Sequence, residues 1–115
     1  MGTSESGVNH DATNSAAVEA STRRWPAFMA LSDTHKRVAL SMCKARRRLR
    51  ELAAAPTTGF QMLCKLKNFE RERAERGRLE GWIADTESTT PEIASDAVRA
   101  QCDEIVIAIP LAGSY

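Results

Sequence analysis

Apolar residues recur between Phe28 and Leu52 at alternating steps of three and four: Phe28, Leu31, Val38, Met42, Ala45, Leu49 and Leu52, with His35 in the remaining place. At 3.6 residues per turn this series stays on one narrow stripe of an α-helix. No Gly or Pro interrupts it. A stripe so narrow is a coiled-coil-like seam that packs on one or two other helices. The pattern predicts a helix from Pro26 to Ala55, ~45 Å long at 1.5 Å per residue. Trp25-Pro26 marks its start, because proline suits the first helical position and restrains the residue before it. Ser32-Asp33-Thr34 is an alternative start. Capping there would split off a short helix and fold Trp25, Phe28 and Leu31 back as a plug. The unbroken stripe favours the continuous rod.

Pro56-Thr57-Thr58-Gly59 ends that helix, and Thr58 can cap the next. A connection this short predicts an antiparallel neighbour over Phe60 to Ala84. In its first half Met62, Leu63, Leu66 and Phe69 form a side suited to the seam of the first helix. Its second half is nearly all charge, with Glu70 and Arg73, Glu72 and Arg76, and Glu75 and Arg78 spaced for pairing within the helix. Gly77 and Gly81 weaken it, and Leu79, Trp82 and Ile83 form an apolar patch on a different face, so a break near Gly77 is expected. Asp85 to Thr90 reads as a polar loop. Thr90-Pro91-Glu92 is the strongest helix start in the chain, followed by Ile93, Ala94, Ala97, Val98, Cys102, Ile105 and Ile109 at helical spacing. The β-branched run Ile105 to Ile109 also suits a strand, but a lone strand has no partner within the chain.

Residues 1–15 are small and polar and read as a disordered tail; Asn14 or Ser15 could cap a short, weak helix over Ala16 to Ala20. Residues 16–115 are then one domain, as expected for a 115-residue chain. The fold class is all-α: a long antiparallel hairpin with a third helix in its groove, a three-helix bundle. Only 5% aromatic residues and few β-branched runs argue against a β-sandwich.

The formal net charge of +1 conceals a dipolar chain. Residues 1–22 hold three acids and no base, 23–50 nine bases and one acid, 51–85 six of each, and 86–115 five acids and one base. The bases cluster on the first long helix as Lys36, Arg37, Lys44, Arg46, Arg47, Arg48 and Arg50. Arginine forks suit phosphates, so this face is the candidate site for a polyanion or an acidic partner. The plainer reading is a solvated face, partly paired with Glu51 and with the acidic C-terminal segment. Aromatic residues for base stacking are few and scattered.

Other chemistry is thinner. Cys43, Cys64 and Cys102 are odd in number and far apart, so they are no disulfide framework and read as small packed thiols. His35 lies in the seam as a packed imidazole, and His10 lies in the tail. With two histidines and no acidic pair on an apolar face, there is no basis for a triad, a metal site or a cofactor. No leader of secretory or mitochondrial type and no membrane span is visible, which places the protein in the cytoplasm, or the nucleus if the cell has one. The functional expectation is a small non-enzymatic adaptor or regulator that offers a helical surface to an unidentified protein partner and self-associates through its seam. Leu79, Trp82 and Ile83 are a second docking candidate, unless they seal the bundle end against Trp25 and Phe28. The alternative is a nucleic-acid-binding regulator using the basic face.

Overall fold

The structure is a computed structural model that describes residues 15–108. The expected tail over residues 1–14 and the end of the last helix at Ile109 lie outside them. The described residues are helical, with no strand among them. Helix α1 spans residues 15–24, longer than the short helix expected there. It ends at Trp25, whose φ of −129° and ψ of 63° break the ladder ahead of Pro26. Helix α2, Pro26–Met29, is a single turn with proline in its first turn. Helix α3, Asp33–Ala53, follows.

The continuous rod from Pro26 is therefore split, and the alternative start is the one formed. Ser32 has extended backbone, and its Oγ accepts from the His35 amide at 3.1 Å, satisfying a donor that a helix terminus otherwise leaves open. Asp33 in the first turn and Arg50 in the last complement the helix dipole. Ala54, extended at ψ 134°, ends α3 just before Pro56.

Helix α4, Gly59–Lys67, begins with reciprocal capping. Thr58 Oγ1 accepts from the Gln61 amide at 3.1 Å, while Gln61 Oε1 accepts from the Thr57 amide at 2.8 Å. Asn68, at φ −102° and ψ 8°, then separates α4 from helix α5, Phe69–Thr89. The second long helix thus breaks at Asn68 and not near Gly77. Helix α5 passes through Gly77 and Gly81 and takes in Asp85 to Thr89, where a loop was expected. The Thr90-Pro91 start gives only a 3-10 turn, Pro91–Ile93. Ser95 begins the last helix, α6, Asp96–Ala108, by accepting from the Val98 amide at 3.2 Å through its Oγ. Ile105 to Ala108 are helical, not a strand.

Helix α3 is the centre of the fold, packed by α5 on one flank and α6 on the other, with α2 lying on α6. The buried cluster joins Trp25, Phe28, Ala39, Met42 and Cys43 to Ile93, Val98, Cys102 and Ile105. Polar contacts hold the outer elements to α6. Gln101 Oε1 accepts from the Phe28 amide at 3.0 Å, Arg24 pairs with Glu104 at 3.0 Å, and Arg99 pairs with Glu87 of α5 at 2.6 Å.

The register of α5 on α3 decides what α4 can do. Glu75 stands opposite Arg48, and Ile83 packs on the cluster that includes Ala39 and Met42. With equal rise on both antiparallel helices, the end of α3 at Ala53 falls opposite about residue 70. Residues 60–69 therefore lie past the end of α3. The linker over residues 54–58 allows this, since its non-helical backbone, extended at Ala54 and Thr58, leads the chain away from α3 before α4 begins. The overhang contributes to an elongated molecule measuring 63 × 32 × 22 Å.

Candidate functional site

The expected basic face does not survive as one surface. Lys36 is half-buried and pairs with Asp33 at 3.7 Å. Arg48 is committed to α5, its Nε and Nη2 donating to the two Glu75 oxygens at 2.7 and 2.9 Å, and its Nη1 lies 3.3 Å from Glu51. These contacts push the Arg48 pKa up and hold the Glu75 carboxyl below the ordinary carboxylate value, the hydrogen bond between them being the largest cause. Arg46 is half-buried with its Nη1 enclosed, and its charge acts on the thiols of Cys43 and Cys102. Arg37, Lys44, Arg47 and Arg50 form no ion pair among the described residues. Four bases of the seven thus remain for a polyanion.

The second docking candidate is divided as well. Ile83 packs on the core, Leu79 is half-buried, and Trp82 is 41% exposed. Leu79 and Ile83 belong to the inner face of α5.

The cysteines are packed thiols where the fold buries them. Cys43 and Cys102 are fully enclosed, and the Cys43 thiol donates to Asp103 Oδ1 at 2.9 Å. Burial first, and the Asp103 carboxylate second, push the Cys43 thiol up to about 12; burial pushes Cys102 up to about 11. Both are protonated and poor nucleophiles near neutral pH. Cys64 lies half-buried on α4. His35 sits half-buried in the first turn of α3. Among the described residues no group of three or more His, Cys, Asp or Glu is placed to hold a metal ion. No helix there is long and apolar enough to cross a membrane.

The most distinctive surface is one that the periodicity assigned to the core. Helix α4 has no extensive packing against another helix and contains no buried residue. Its half-buried residues are Cys64 and Lys65. The Lys65 ammonium donates to the Leu52 carbonyl at 2.6 Å and lies 3.3 Å from Glu72. Arg76 Nη2 reaches the same carbonyl at 3.3 Å, so two cations neutralise the negative end of α3. Lys65 thus faces the body, while the large apolar side chains are exposed. Phe60 is 76%, Met62 53%, Leu63 66%, Leu66 70% and Phe69 60% exposed. Phe60, Met62, Leu63 and Leu66 belong to α4, and Phe69 opens α5 beyond the break at Asn68. Five large apolar side chains exposed over residues 60–69 of so small a chain mark a candidate interaction surface.

The expected packing of Met62, Leu63, Leu66 and Phe69 against α3 is therefore overturned: all four are exposed, and the break at Asn68 places Phe69 on α5. Two misassignments have the same origin. Glu72 and Glu75 pair with Lys65 and with Arg48 of α3, and not with Arg76 and Arg78. Helical spacing detects partners within one helix and is blind to a partner brought by register.

No family model matches the chain, and no curated protein or solved structure is detectably similar to it.

Proposed function

We propose that this chain is a helical protein-interaction module, an adaptor or regulator without catalytic chemistry, that docks its partner on the outward face of α4. The observation carrying this reading is the inverted amphipathicity of α4. Its Lys65 caps α3 while its Phe60, Met62, Leu63 and Leu66 stand in solvent, followed by Phe69 at the start of α5. Apolar surface of this kind costs free energy at roughly 25 cal/mol per Å² while it stays wet, and docking recovers it. The half-buried seam of α3 is already covered by α5 and α6, so α4, and not that seam, supplies the free surface.

The test is site-specific photo-cross-linking in the native cell, with a benzoylphenylalanine at position 63 or 66. Adducts are expected there and not at Ser41, an exposed position on α3. Absence of any adduct at 63 and 66 would remove the reading.

A second reading is favoured by one observation: Arg37, Lys44, Arg47 and Arg50 carry charges that no described acid neutralises. A strip of four cations would bind nucleic acid phosphates without reading bases, with an affinity falling steeply with salt. Anisotropy titration against random duplex DNA and single-stranded RNA tests it. Affinity unchanged on reversing Arg37, Lys44 and Arg47 to Glu would eliminate it.

A further inference from the structure

The occupant of the α4 face can be narrowed. Resting on the interaction reading above, we infer that it is a second copy of the same chain: α4 and the start of α5 of one protomer pack on the same segment of another about a twofold axis, burying Phe60, Met62, Leu63 and Leu66 of α4 and Phe69 of α5 in both.

Area is the first argument. At roughly 100–150 Å² of exposed surface for each of these side chains, the face amounts to about 600 Å² per protomer, and an isologous pair buries about 1,200 Å², the lower edge of the range for specific stable interfaces. The patch thus reaches interface size when it meets its own equal. A smaller or narrower surface on a partner would leave part of it wet.

Charge is the second. From Phe69 to Glu80, directly beyond the patch, the chain carries four glutamates and four arginines, so this flank has no net charge. The whole chain is close to neutral at +1. Two copies approach without net repulsion. A strongly acidic or strongly basic partner would find no matching field on this flank.

Position is the third. The face lies on the overhang past the end of α3, so two protomers can pair there with both cores projecting away from the axis. A patch that serves both subunits alike closes as a dimer and does not propagate.

The experiment is analytical ultracentrifugation of the full chain over a concentration series, compared with the Leu63→Glu/Leu66→Glu double variant and with Ile107→Glu. Ile107 is 73% exposed on α6, away from the patch. The wild-type chain should sediment near twice its 12.6 kDa mass, with a dissociation constant of micromolar order for an interface of this size. The double variant should sediment as a monomer with unchanged circular dichroism, because both leucines already face solvent. Ile107→Glu should remain a dimer. A wild-type chain that stays monomeric at several hundred micromolar overturns the inference, and so does a dimer that survives the double variant. If the chain is monomeric while position 63 or 66 still cross-links to another protein, self-pairing falls and the interaction reading stands. If no adduct of any kind forms, both fall.

Discussion

Arg48 and Glu75 meet through two hydrogen bonds of 2.7 and 2.9 Å, a forked contact between α3 and α5 that sets one helix against the other. It joins a residue of the basic cluster to a residue of the charged half of the second long helix. It also places the end of α3 opposite the start of α5, which leaves α4 without a helix to cover it.

The Arg48 contact holds the Glu75 carboxyl below its ordinary value of 4.5. A depressed folded-state pKa stabilises the fold above the unfolded value, and that stabilisation is lost as pH falls through the lowered one. Urea midpoints of the wild type and Glu75→Gln should differ near pH 7 and draw together as pH falls below 4.5 through the lowered value. A gap that persists at low pH would mean that Glu75 contributes by packing and not by charge.

The buried thiols should show both in reactivity and in alkaline stability. Near neutral pH an aromatic disulfide reagent should titrate Cys64 first, and Cys43 and Cys102 only on unfolding. Burial and Asp103 raise the Cys43 thiol from 9.0 to about 12, so its contribution is intact below 9.0 and is lost as pH rises toward 12. Cys43→Ala should cost about 1–2 kcal/mol near pH 7 through lost packing and a lost hydrogen bond. Above about pH 9 the wild type should lose roughly 1.4 kcal/mol per pH unit relative to the variant. Parallel curves through that window would contradict the buried thiol.

Two methionines separate core from overhang. Met42 is 1% exposed and Met62 53% exposed. Met42→Ala should destabilise the monomer by about 2–5 kcal/mol, whereas Met62→Ala should stay within roughly 0.5 kcal/mol when measured on the Leu63→Glu/Leu66→Glu background. Equal losses at the two sites would place Met62 in the core and remove the outward face of α4.

Gly77 and Gly81 lie within α5, and a Cβ built at either meets nothing within 4 Å. Alanine should therefore stabilise at each position by about 0.5–1 kcal/mol, since only the entropy of the unfolded chain changes. A loss of stability in thermal unfolding would signal that the helix bends there.

Helical class, the basic flank of α3 and the Thr58 cap were legible in the sequence because each is a local property, fixed by spacing or by a side chain three residues from its partner; the Ser32 cap was visible only as the alternative start, which the unbroken stripe outweighed. The apolar side of α4 was legible from its spacing. What the tertiary structure alone decided is where that side points. The same 3.6-residue period describes a face turned inward or outward, and the choice between them is made by register. Arg48 and Glu75 lie 27 residues apart, and so does the contact that commits the arginine. Lys65 reaches the end of α3 across an extended linker, and this turns the apolar half of α4 away from the body. The same long-range pairing reduced seven candidate bases to four. A sequence states which side chains share a face; only the packed chain states what that face meets.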